Sequence, residues 1–178
     1  VSTAKREHQP VILLYTGDGK GKTTAAFGQA LRAAGQGMQV CIIQFVKEND
    51  DTGEVAALRP LAPQIEIHVT GCGFSWQNEP ETVAAYGRQG WELAKEKIAS
   101  GRYDMVILDE ITYLLRWRIV GEEELLAFLD ALTDPPHLVL TGRGASPALI
   151  DRADLVTEMV PVKHHLQAGI GAQPGIEY

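Results

Sequence analysis

Val11-Ile-Leu-Leu-Tyr-Thr16-Gly17-Asp18-Gly19-Lys20-Gly21-Lys22-Thr23-Thr24 passes from an apolar run through a glycine-rich turn into a helical pattern. The run Val11–Thr16 is uninterrupted rather than alternating, as expected of a strand buried on both faces. Lys22–Ala34 reads as the following helix, with Gly35 and Gly37 as its stop signal. Strand, glycine turn and helix N-terminus in that order let consecutive backbone N–H groups converge on an anion, and the helix dipole adds partial positive charge. Residues Gly17, Asp18, Gly19, Lys20, Gly21, Lys22, Thr23 and Thr24 are therefore candidate contacts to the phosphates of a nucleotide such as ATP. Lys22 would reach terminal phosphate oxygens, and the Thr23 hydroxyl would ligate Mg²⁺. The usual spacing is G-x-x-x-x-G-K-[ST], which would put a glycine at Thr16. The opening glycine here is Gly17, so the loop is one residue short.

Outward from this loop, short apolar runs alternate with helical patterns. Strands are expected at Val40–Val46, Ile65–Val69, Met105–Leu108, Leu138–Leu140 and Leu155–Val160. Helices are expected at Glu54–Leu61, Pro80–Ser100, Glu122–Leu132 and Pro147–Ile150. This alternation implies an α/β fold, a mostly parallel six-stranded sheet with helices on both faces. The segments are expected to be a possibly flexible N-terminal stretch 1–10, an α/β domain over 11–160, and a glycine-rich tail 161–178 of the same domain.

Composition narrows the function classes. A length of 178 residues suits one domain with a full core. The net charge of −7 argues against a nucleic-acid partner held through a basic face. No run approaches the ~20 apolar residues that span a bilayer, and Val1–His8 lacks the apolar core of a secretory peptide, so no membrane is expected. Cys41 and Cys72 form no CxxC or zinc-like pattern and read as reduced thiols of a cytoplasmic protein.

Met105-Val-Ile-Leu-Asp109-Glu110 is an acidic strand end of the kind that holds Mg²⁺ against a phosphate loop. Glu110 could polarise a water or ligate the metal, and spacing does not decide between them. Asp109 is a further candidate ligand. Arg143, after the fifth strand, reads either as a nucleotide contact or as a structural turn residue. Arg32 is a weaker candidate for the same role. Adjacent histidines rarely converge on one ion, so Lys163-His164-His165 is not read as a metal site.

The loop TGDGKGKTTAAFG (16–28) and the tail PVKHHLQAGIGAQPGIEY (161–178) are its most specific stretches. With Gly73-Phe74-Ser75-Trp76, Leu108–Tyr113 and Thr141-Gly142-Arg143-Gly144, they closely resemble the P-loop type of ATP:corrinoid adenosyltransferase. The resemblance spans nearly the whole chain. It implies a RecA-like P-loop fold, and transfer of the 5′-deoxyadenosyl group of ATP to the cobalt of cob(I)alamin or another corrinoid, with triphosphate released. It further implies ATP lying reversed in the loop, a homodimer, a role in cobalamin biosynthesis, and a flavin-type protein as reductant. Lys22, Thr23 and Glu110 are then the catalytic set, with Thr23, Glu110 and Asp109 at Mg²⁺. Phe74 and Trp76 correspond to aromatics that exclude the lower axial ligand of cobalt. Two apart, they share one side of an extended segment. Without the resemblance they would read as core aromatics. No D-x-H-x-x-G stretch occurs, which fits a corrinoid that passes through as substrate. The rival readings are a RecA-type ATPase with Glu110 activating water, a small-molecule kinase releasing ADP, and a nucleotide sensor.

Overall fold

Six strands form one sheet in the order β3-β2-β4-β5-β1-β6, and all five ladders are parallel. They are β1 (Ile12–Thr16), β2 (Val40–Gln44), β3 (Ile65–Val69), β4 (Met105–Asp109), β5 (His137–Thr141) and β6 (Leu155–Glu158). The computed structural model describes residues 9–48, 52–73 and 78–177. The helices are α1 (Lys22–Gly35), α2 (Gly53–Leu58), α3 (Pro80–Ala99), α4 (Ile111–Arg116), α5 (Glu122–Ala131) and α6 (Pro147–Arg152). This is the α/β architecture that the alternating pattern predicts, with every strand parallel.

Alternate residues of each central strand enter different cores, as a period of two requires. Cys41 and Ile43, Val106 and Leu108, and Leu138 and Leu140 join Trp91, Leu114, Leu125 and Leu149 on the face covered by α3 to α6. Ile42, Ile107 and Val139 join Phe27, Ala30 and Ala33 on the α1 face. The alanines of α1 let its backbone lie close to the sheet. Burial on both sides explains why β2 and β4 read as unbroken apolar runs.

Three features depart from expectation. Helix α4 was not foreseen, because Ile, Thr and Tyr at its start are modest helix formers. It forms because Ile111, Thr112 and Leu114 are buried, so tertiary packing overrides propensity. The short helix before β3 is α2 followed by a 3-10 turn at Arg59–Leu61, with Pro60 inside that turn. Strand β6 stops at Glu158 and is exposed throughout, because it pairs only with β1 at the sheet edge.

Away from the loop end, β3 is tied to α3 by Glu66. Its carboxylate accepts from Lys97 Nζ (2.7 Å), contacts His68 Nε2 (2.6 Å) and accepts from the Tyr103 hydroxyl. Burial alone would raise this carboxyl, but hydrogen bonds from Lys97, Tyr103 and His68 outweigh it and hold it at about 2. A depressed carboxyl contributes stability above its unfolded pKa that is lost as pH falls through the folded value. Glu66→Gln is therefore expected to lower unfolding free energy by about 1–2 kcal/mol at pH 7. The gap should close between pH 4.5 and 2 in denaturant titrations. A constant gap across that window would assign the loss to packing.

Candidate functional site

The chain leaves β1 at Thr16 and turns immediately through the glycines, because the end of β6 lies against them. Gly19 N donates to Met159 O at 2.7 Å, and Met159 N donates to Thr16 O at 2.8 Å. A Cβ at Gly17 or Gly19 would stand 2.5 or 2.6 Å from Met159 O, too close for any side chain. These two glycines are thus required by the backbone that follows β6, whatever the loop binds. Gly21, at φ 113, turns the chain into α1.

Lys22 extends back along the loop, and its Nζ donates to Gly17 O at 2.7 Å and Gly19 O at 2.6 Å. Burial lowers its pKa and the Arg143 guanidinium lowers it further, against the carboxylates of Glu110, Asp18 and Asp109. Lys20 and Thr24 lie on the outer side of the loop. There they line a cavity of about 460 Å³ with Gly53 of α2 and Gly175-Ile176-Glu177 of the tail. The tail returns to the loop through a 3-10 turn at His165–Ala168, and His165 Nε2 lies 3.2 Å from Glu177 Oε1. The rings of His164 and His165 stack at 4.6 Å.

Strand β4 is separated from β1 by β5, so the acidic strand end needs an intermediary to reach the loop. Thr141, the last residue of β5, fills that gap. Its hydroxyl donates to Asp109 Oδ1 at 2.7 Å and accepts from Glu110 N at 2.8 Å. Asp109 Oδ1 also accepts from the Thr23 hydroxyl at 3.0 Å, and Oδ2 accepts from Gln44 Nε2 at 3.1 Å. Asp109 is fully buried. Burial raises its pKa, against hydrogen bonds from Gln44, Thr141 and Thr23. The structure thus joins Thr23 to Asp109 directly, 86 residues apart in sequence.

Glu110 follows in the left-handed region at φ 64, a conformation that costs about 1–3 kcal/mol for a residue with a side chain. Burial, then the adjacent Asp109 charge, pushes its carboxyl up to about 7, against Lys47, Lys22 and Arg143. Arg143 is itself exposed at the turn after β5. Arg32 lies elsewhere, lining a cavity with Val11, Met38 and His137 at the opposite strand ends. Phe74 and Trp76 lie outside the described residues.

Sequence reasoning missed Gln44, Thr141 and Lys47. One signal was available: Gln44 and Thr141 are polar residues closing apolar strands at their carboxyl ends, where open α/β sheets place ligands. That they meet at Asp109 depends on register, which sets Gln44 opposite Asp109.

A short glycine-rich loop thus faces an acidic strand end across an intervening strand. Residues 8–178 match the family model for the ATP:corrinoid adenosyltransferases BtuR/CobO/CobP. The chain belongs to this family. It is 39% identical to a corrinoid adenosyltransferase of Pseudomonas aeruginosa, over 97% of this chain and 86% of the relative. It is 40% identical to the corrinoid adenosyltransferase of Escherichia coli K12 and to corrinoid adenosyltransferase CobA of Salmonella typhimurium, in each case over 97% of this chain and 88% of the relative. The adenosyltransferase match therefore covers the phosphate loop, the acidic strand end and the tail together.

Hard oxygen donors at Thr23, Asp109 and Glu110 suit Mg²⁺. Glu110 also fits a cation on electrostatic grounds. Its carboxyl is desolvated beside a second carboxylate, so positive charge would relieve an existing penalty.

Proposed function

We infer that the chain transfers the 5′-deoxyadenosyl group of ATP to the Co(I) centre of a corrinoid. The electron pair of Co(I) forms the cobalt–carbon bond as the C5′–oxygen bond breaks, and the triphosphate leaves with that bond's electrons. The observation that carries the reading is the match over residues 8–178, which includes the short loop and the tail. Cob(I)alamin is already a strong nucleophile, so the protein needs no general base. Its work is alignment of the reactants and stabilisation of the departing anion.

Lys22 and the loop amides would face that anion, except the Gly19 N–H, which is already given to Met159 O. Lys20 and Arg143 would add charge from the outer side of the loop and the turn after β5. One well-aimed donor at a developing anion is worth roughly 3–4 kcal/mol. Thr23 and Glu110 would hold Mg²⁺, with Asp109 behind them orienting Thr23. The ion would supply charge neutralisation of the phosphates. Gln44 and Thr141 keep Asp109 in place, and Thr141 also fixes the Glu110 backbone. Phe74 and Trp76 are assigned to the corrinoid, where loss of the lower cobalt ligand raises the Co(II)/Co(I) potential. Each ~59 mV is tenfold for a one-electron step. The two free thiols, Cys41 and Cys72, support a reducing, cytoplasmic setting. A homodimer and a flavin-type reductant complete the reading. Among the described residues, no helix is long and apolar enough to cross a membrane.

The test is anaerobic: protein, Mg-ATP and chemically reduced cob(I)alamin are mixed, and the corrinoid spectrum is followed with the phosphate products. A light-sensitive adenosylated corrinoid should appear together with triphosphate. An unchanged corrinoid with ADP and phosphate accumulating would move the function to an ATPase or kinase.

A further inference from the structure

A cavity of about 350 Å³ opens between α4 and the turn that follows β5, beside the acidic strand end. Arg116, Arg143, Ser146, Thr112 and Glu122 line it. Arg116, in the last turn of α4, and Arg143 are both exposed, and neither forms an ion pair or side-chain hydrogen bond with a described residue. With Glu122 as the single carboxylate, the lining carries a net charge of about +1. Ser146 Oγ accepts from Leu149 N at 3.1 Å, which leaves its own proton free to donate.

Thr112 is the second, independent observation. It is 2% exposed, and its hydroxyl is buried without any hydrogen-bond partner. An unpaired buried hydroxyl costs about 1–3 kcal/mol, and valine would fill the same volume without that cost. The backbone makes room for it specifically: Gly142 sits at φ +139, and a Cβ there would stand 1.9 Å from Thr112 Oγ1. Packing alone gives no reason for a hydroxyl at this place.

We propose that this cavity is a second phosphate subsite, in which Arg116, Arg143, Thr112 and Ser146 donate to a phosphate group of one of the two substrates. The proposal rests on the adenosyltransferase reading. Guanidinium groups match phosphate oxygens in charge and in planar geometry, and a buried hydroxyl supplies a directed donor. The phosphate comes either from the polyphosphate of ATP or from the phosphodiester of the corrinoid's lower nucleotide loop. Both carry the same chemistry. Arg143 is close enough to the Lys22 and Glu110 side chains for its charge to act on both, so either source approaches from the site already described.

The experiment compares Arg116→Gln and Thr112→Val with the wild type. Inorganic triphosphate binding is measured by calorimetry. KM is measured for ATP, for cobalamin, and for a corrinoid that lacks the nucleotide loop. If ATP is the source, Arg116→Gln should weaken triphosphate binding and raise the ATP KM by about tenfold with either corrinoid, the loss of one charge-assisted hydrogen bond. If the corrinoid is the source, the KM for cobalamin alone should rise about tenfold, with that for the truncated corrinoid unchanged. Thr112→Val should move the same constant as Arg116→Gln while its ligand-free melting temperature stays level or rises. Arg116→Gln within twofold of wild type in every constant would overturn the subsite. Thr112→Val with wild-type constants would overturn the role given to the buried hydroxyl. Absence of transfer in the wild type would instead sink the adenosyltransferase reading, while the calorimetry still judges triphosphate at the cavity.

Discussion

Lys22→Ala is expected to reduce adenosyl transfer by about two to three orders of magnitude, even when cob(I)alamin is supplied chemically. The side chain stands at the base of α1, partly buried, with its ammonium turned back onto the carbonyls of Gly17 and Gly19. That arrangement keeps a cation inside the loop with its stem already ordered, so it meets the phosphates at little further entropic cost. Burial strips water from the ammonium and so lowers its pKa. A desolvated cation interacts more strongly with a developing anion than one in bulk water. Stopped-flow spectra of the corrinoid under saturating Mg-ATP measure the step directly. A loss smaller than tenfold, with an unchanged melting temperature, would leave Lys22 as a strut of the loop and nothing more. The thermal measurement matters because the same ammonium bonds two loop carbonyls, and a collapsed loop would also stop transfer.

Glu110→Gln should change stability and transfer in opposite directions. Burial and the Asp109 charge raise the Glu110 carboxyl to about 7 from an ordinary value of 4.5. An acid with a raised folded pKa loses stability as pH rises from the unfolded value to the folded one, and the penalty then stays constant. Glutamine carries no such charge. The variant should therefore match the wild type near pH 4.5 and gain on it up to pH 7. Above that it should remain about 2–3 kcal/mol more stable. Transfer should meanwhile fall by about a hundredfold, because a neutral amide is a poor ligand for Mg²⁺. A variant that is both less stable and less active would mark Glu110 as a structural residue at a strained turn. Chemical denaturation across that pH range, run without nucleotide, separates the two outcomes.

Glu110 also illustrates how far the site could be read without coordinates. The Leu108-Asp109-Glu110 strand end stood out because two carboxylates close an apolar run. Which of them is available to a ligand did not follow from the residues. Asp109 accepts hydrogen bonds from Thr23, Thr141 and Gln44 and is fully buried, whereas Glu110 turns out of the strand through a left-handed step. That division of labour depends on β5 lying between β1 and β4, a matter of strand order rather than of motif. The cost of the short loop is similar. Its missing residue was visible at once, but the reason for glycine at both 17 and 19 lies in Met159, some 140 residues later, whose carbonyl packs where a side chain would begin.

The secondary elements were legible where apolar periodicity is strong and both faces are covered, as in β1, β2, β4 and α1. They were misjudged where tertiary contacts decide, as in α4, whose burial stabilises a sequence of modest helix propensity. The ion-pair cluster around Glu66 and the cavity at Arg116 were not visible at all, since each gathers residues from elements distant in the chain.

The amino-acid sequence by itself determined the alternation of strands and helices, the glycine-rich loop at Gly17–Thr24 between strand and helix, and the acidic strand end. Each of these follows from local spacing and from the chemistry of adjacent residues. Only the tertiary structure decided that Thr141 bridges the two, that Asp109 is committed to internal hydrogen bonds while Glu110 is desolvated, and that Met159 presses on the loop. Those are consequences of which strands lie side by side and in what register, and hydrogen bonding and desolvation act through space, not along the chain.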